Sequence, residues 1–207
     1  SFPDNSVTAL PDAIGSCAEL KSLHAWNNRL AALPASIGFL TKLTHINVFN
    51  NCIRTIAPEI GMLKRVGAIV LGSNELTNEG LPEEICDMSG LNSIHLYRNS
   101  ELTRLPDRIG DLTDLATLRL FSTGLIALPD SLSTLSVLRE LHLADCSALA
   151  SLPPSITDLT SLTKLDIRGC DLLEEFIACD PTLDLWIDAL VKGNGCEVKR
   201  GVLVRSS

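Results

Sequence analysis

The residues able to do chemistry in this chain recur in a fixed setting. His24, His45, His95 and His142 are all of its histidines, and each falls at the third or fifth place of a nine-residue unit reading L-x-x-L-x-L-x-x-N. His24 and His45 come from consecutive units and could face one another, but zinc needs a third and a fourth ligand. Asn47 is their only polar neighbour, and no carboxylate or cysteine joins them. His142 and Asp166 share the fifth place of adjacent units, an acid–base juxtaposition, yet nothing nearby except Ser122 could serve as a nucleophile. A triad needs its nucleophile held against its base. Gly193-Asn-Gly195 is a lone turn and not a phosphate loop. The expectation is a protein with no catalytic residue, no metal and no cofactor.

The units themselves dominate the sequence. They start at Leu20, Leu43, Val66, Leu91, Leu115, Leu138 and Leu162, each 23 to 25 residues after the last. Places 1, 4 and 6 are apolar, while places 3, 5 and 7 alternate with them, as the two faces of a short strand do. A repeat of this period stacks its strands side by side into one parallel sheet, packed on one face and open on the other. A second element follows each strand: Leu10-Pro-x-x-Ile14-Gly15, Leu33-Pro-x-x-Ile37-Gly38, Leu105-Pro-x-x-Ile109-Gly110 and their variants, the third turn departing as Ile56-Ala-Pro58-Glu-Ile60-Gly61. Proline presets φ and removes a ladder donor, so the chain turns there, into a short helical or 3₁₀ turn on the convex side. Asn28, Asn51, Asn74 and Asn99 end successive strands, where a buried amide can satisfy backbone groups left open by the bend. Thr123, Cys146 and Cys170 take over that place, which makes the two cysteines core packers and not reactive thiols.

The predicted fold is therefore α/β: a solenoid with a curved parallel sheet on its concave face and short turns on its convex face. Residues 1–19 read as a truncated first repeat and its turn, since Phe2-Pro-Asp-Asn5 matches places 6 to 9, and the chain is expected to be a fragment of a longer protein. Residues 20–173 hold seven repeats. Residues 174–207 read as a C-terminal cap, with a helix near 181–192 opened by Asp180-Pro181 and stopped at Gly193, then a strand or extended tail from Val198 to Val204.

The combined pattern L-x-x-L-P-x-x-I-G-x-L-x-x-L-x-x-L-x-L-x-x-N, over about residues 5 to 173, resembles intracellular leucine-rich-repeat proteins of the Ras-group type. Leu141-His-Leu-Ala-Asp-Cys146 with Leu152-Pro-Pro, and Leu165-Asp-Ile-Arg-Gly-Cys170, also resemble repeats of plant disease-resistance receptors and of bacterial effectors. The resemblance implies a protein-binding module. The motif fixes inward positions only, so it transfers no functional residue.

The outward positions carry the functional reading. Four of the eight aromatics stand at the seventh place: Trp26, Phe49, Tyr97 and Phe121. Large aromatics on a rigid exposed sheet are what binding hot spots are made of. Together with His24, His95, His142, Arg98, Arg119 and Arg168 they form the expected partner-binding face. Repeat three interrupts the stripe with small residues, so Gly72 should floor a notch of roughly 10 Å between Phe49 and Tyr97, two strand spacings wide. The open face is net basic within a chain of net charge −8. A protein or extended peptide, acidic or phosphorylated, is the expected partner, with Arg119, Arg139 and Arg168 pairing to Glu140, Asp145 and Asp166 as the alternative use of those charges. The overall acidity argues against nucleic acid. No apolar run is long enough for membrane insertion. Seven scattered cysteines and no Asn-x-Ser/Thr sequon point to an intracellular, cytoplasmic setting.

Overall fold

Seven strands occupy places 3 to 5 of the seven units: β1 (Ser22–His24), β2 (His45–Asn47), β3 (Ala68–Val70), β4 (Ser93–His95), β5 (Thr117–Arg119), β6 (Glu140–His142) and β7 (Lys164–Asp166). The structure, a computed structural model, describes residues 1–201. The strands pair in parallel and in sequence order, with no slip in register. Leu23, Ile46, Ile69, Ile94, Leu118, Leu141 and Leu165 consequently form one row, all buried. A one-residue slip would turn this row to solvent, so its burial fixes the register of every repeat at once.

Each convex turn holds one 3₁₀ helix, such as Ala35–Phe39, Pro58–Met62 and Asp130–Thr134. In every turn but Ile109–Asp111, where Pro106 stands three residues ahead, proline sits just before or at the first position, and at Pro34 it leads the chain in extended with φ −75° and ψ 161°. The glycine of the Ile-Gly pair has a steric role. A Cβ on Gly38 would stand 2.6 Å from the carbonyl oxygen of Glu59, in the next turn. At Gly38, Gly61 and Gly110 the turn therefore approaches the next one more closely than a side chain permits.

The asparagine row behaves as read. Asn51 Oδ1 accepts from Leu30 N at 2.9 Å, and its Nδ2 donates to the carbonyls of Ala25 at 2.9 Å and Val48 at 3.0 Å. Asn74 repeats the arrangement one unit on. From Thr123 onward the row thins. Thr123 Oγ1 donates to Leu120 O, Cys146 Sγ donates to that same carbonyl at 3.2 Å, and Cys170 Sγ donates to Leu143 O at 3.0 Å. A hydroxyl or thiol supplies a single donor where the amide supplied two.

The eighth place has a feature that the motif did not announce. Asn27, Asn50, Ser73, Arg98, Ser122, Asp145 and Gly169 all take positive φ, between 53° and 70°. This left-handed residue swings the chain out of the sheet after each strand, which explains the bias there toward Asn, Asp, Ser and Gly.

The C-terminal segment differs from its reading in two respects, an additional helix and the residue that ends the expected one. A helix α1 (Asp171–Cys179) precedes the expected one, which runs from Pro181 to Asn194 as α2. Asp180 caps α2 as read, accepting from Thr182 N at 2.9 Å. Gly195, in the left-handed region at φ 62°, ends it instead of Gly193. After α2 the chain returns as β8 (Glu197–Lys199), a parallel eighth strand against β7. The remainder of the expected strand, Val202 to Val204, lies outside the described residues. Leu183, Trp186, Ile187 and Leu190 of α2 are buried, with α2 packed on α1 and β8, so Trp186 packs as a plug and does not face a partner. At the other end Phe2, Val7, Leu10 and Ile14 line an open apolar depression of about 380 Å³. Among the described residues no helix is long and apolar enough to cross a membrane.

An aromatic concave face as the candidate binding site

The parallel ladder lifts every seventh-place side chain to the concave surface just beyond the strand ends. Tyr97 is the centre of what results. Its ring stacks on Phe121, with centroids 4.4 Å apart and planes 6° from parallel, and leans on Phe49 at 5.9 Å and 43°. Trp26 stands apart from this run, edge-on to His24 at 5.4 Å.

The notch expected over repeat three is closed. Tyr97 lies across the gap: a Cβ added to Gly72 would stand 2.5 Å from its ring, and Gly72 is buried beneath it. Counting strand spacings gave the width between backbones but ignored the reach of a phenol across one missing side chain. The small residue is there to let the neighbouring ring lie down. What remains is a shallower depression of about 410 Å³ between Trp26, Phe49 and Tyr97, lined also by Asn27, Asn47 and Val70.

The histidines are less alike than their positions imply. His95 is partly buried between Ser93, whose Oγ lies 3.0 Å from its Nε2, and the Tyr97 ring. Burial, then the nearby Arg119 guanidinium, pushes its pKa down to about 4. His45 is exposed and touches Thr44. His142 does not pair with Asp166. Its Nε2 lies 3.0 Å from Glu140 Oε2, two residues back on its own strand and face. Asp166 is taken by Arg168, which donates Nε to Oδ1 at 2.8 Å and Nη2 to Oδ2 at 2.7 Å. That bidentate hydrogen bonding holds the Asp166 carboxyl below the ordinary range, and the His142 contact does the same for Glu140.

Arg119 reaches Glu140 at 3.6 Å, so two of the six basic residues of the face are engaged. Among the described residues Lys21, Arg98, Arg139 and Lys164 form no ion pair. They stand at the two ends of the strands, and Arg98 is exposed at its left-handed turn. Of the predicted face residues, Phe49, Gly72, Tyr97 and Phe121 come together in one contiguous run with His95 beneath. His142 and Arg168 line a second depression of about 250 Å³, with Phe121, Ala144, Asp145 and Asp166. Ala144 was not singled out from the sequence, and Asp145 was counted among the charges of the open face but not as a contact residue. The available signals were that Ala144 is a small residue at the seventh place itself and that Asp145 follows it at the eighth.

No protein-family model matches the chain, and no curated protein sequence does. Solved structures do. A leucine-rich-repeat protein of Leptospira interrogans superposes with a TM-score of 0.70 and 26% identity, over 95% of this chain and 53% of that one. The leucine-rich-repeat ectodomain of the Arabidopsis thaliana membrane receptor kinase GASSHO1/SCHENGEN3 gives 0.55 and 26%, over 79% and 22%. An internalin of Listeria monocytogenes gives 0.64 and 20%, over 80% and 49%. The fold is a leucine-rich-repeat solenoid. The solenoid spans about half the length of these neighbours or less.

Proposed function

We propose that this solenoid is a non-enzymatic interaction module that holds a protein or extended peptide across its concave face. One observation carries the reading: the Phe49–Tyr97–Phe121 run is assembled in advance, with Tyr97 seated on a glycine that makes room for it. A rigid aromatic surface loses little entropy on binding, which is the usual property of hot spots. Trp26, His24, His95, His142, Arg98, Arg119 and Arg168 complete the proposed contact surface. The four uncommitted basic residues at the strand ends favour a partner segment that is acidic or phosphorylated toward its edges. The plant receptor neighbour, whose ectodomain was solved in complex with CASPARIAN STRIP INTEGRITY FACTOR 2, supports binding as the use of this fold. The Leu-Pro-x-x-Ile-Gly turns and the seven free thiols support the intracellular Ras-group-like subtype.

A second reading makes the same face the recruiting arm of a larger enzyme, such as a ubiquitin ligase, or the sensing arm of an immune-type receptor. It is favoured by the extra length of the neighbours. Affinity capture with the parent and with a Tyr97→Ala, Phe121→Ala double variant tests the first claim common to both. The parent should recover a partner that the folded double variant loses. Equal recovery by both would remove the concave face as the site.

A further inference from the structure

The concave face has two depressions, one on each side of the Tyr97–Phe121 stack, and their chemistry differs. The first is walled by Trp26, Phe49 and Tyr97, with amide and aliphatic groups and no charge. The second lies beyond Phe121. One face of the Phe121 ring is covered by Tyr97, and the ring also lines the second depression with His142, Ala144, Asp145, Asp166 and Arg168. Arg168 is held by Asp166 through two hydrogen bonds, whereas Asp145 has no ion pair among the described residues. The depression thus combines an aromatic wall, a small floor at Ala144 and one carboxylate in excess. An ammonium or guanidinium gains from both the ring face and the carboxylate, while an anion gains from neither.

We infer that this second depression is a subsite for one cationic side chain, a lysine or arginine of an extended partner segment whose apolar or aromatic residue fills the first. The inference rests on the concave-face reading proposed above and adds the chemistry and spacing of the ligand. The first depression, lined by residues of repeats one to four, centres near β2 and the second on β6. The separation is about four strand spacings, roughly 19 Å, which extended chain covers in about six residues. The segment lies across the strands, basic at this central anchor and acidic only toward the strand ends, where Arg98 and Arg139 stand free.

The test is a selection of phage-displayed random peptides, long enough to span both depressions, on the parent protein. Enriched peptides should pair an aromatic residue with a lysine or arginine about six positions away. A synthetic peptide of that pattern should bind Asp145→Asn about tenfold more weakly than the parent. Asparagine tolerates the left-handed backbone of Asp145, so the variant removes charge and leaves the turn intact. Replacing the peptide's basic residue by alanine should cost the same factor on the parent and nothing further on Asp145→Asn. Peptides that lose binding on Tyr97→Ala but carry no basic residue, or ignore Asp145→Asn, overturn the cation subsite and leave the concave reading standing. Peptides indifferent to Tyr97→Ala, or no enrichment at all, count against both.

Discussion

The two halves of the solenoid solve the same structural problem with different chemistry. In repeats one to four the strand ends are held by asparagine amides, each linking several backbone groups of two turns, and the concave surface above them is aromatic and nearly uncharged. In repeats five to seven a hydroxyl or thiol makes a thinner link, and the surface above carries two charged groups, Arg119–Glu140–His142 and Asp166–Arg168. The backbone register is continuous across the join. Core and surface are therefore independent: the inward places keep the stack, and the outward places can hold rings or charges without disturbing it.

The sharpest way to break this comparison is to cut one link in each half. Asn51→Ala removes an acceptor and two donor contacts from buried backbone groups, each worth about 1–3 kcal/mol when orphaned, so a loss of about 3 kcal/mol or more is expected. Cys146→Ala removes one weak donor and a small volume, and should cost about 1 kcal/mol. Urea unfolding of the two variants measures both. Equal losses would mean that the amide row is not what holds the first half.

The surface comparison is tested at Gly72. A methyl there must displace the Tyr97 ring, so Gly72→Ala should weaken peptide binding nearly as much as Tyr97→Ala, for which about 2 kcal/mol is expected. Isothermal titration with one selected peptide checks this. Binding unchanged in Gly72→Ala would show that the seated ring is not the recognised conformation.

A smaller effect separates the histidines. The folded pKa of His95, at about 4, lies below the ordinary 6.5, so the unfolded chain binds the extra proton first. Its neutrality costs nothing above pH 6.5, and stability falls as the pH drops from there toward 4. His95→Gln should flatten that stretch of the stability–pH profile, measured by urea midpoints across it. A profile as steep in the variant as in the parent would assign the acid sensitivity elsewhere.

Much of this was legible from sequence because the repeat motif is local. Places 1, 4 and 6 encode burial, place 9 encodes the backbone link, and the Pro turn encodes the convex side. What was not legible depends on side-chain reach or competition between neighbours. Tyr97 closes its own notch because a ring is longer than a strand spacing. His142 chose Glu140 over Asp166 because residues two apart on a strand share a face, and Arg168 is likewise two places from Asp166. The helix α1 was hidden because Leu172 and Leu173 continue the leucine pattern into a segment whose period has already changed to that of a helix.

The central claim is that partners bind the concave ring run and not the convex side, where Phe39 and Met62 are also exposed. A side-chain NMR titration with a selected peptide tests it most directly. The account expects the resonances of Phe49, Tyr97, Phe121 and Trp26 to shift together at one affinity while Phe39 and Met62 stay still. Shifts confined to Phe39 and Met62, with the Tyr97 and Phe121 signals unmoved, would contradict it.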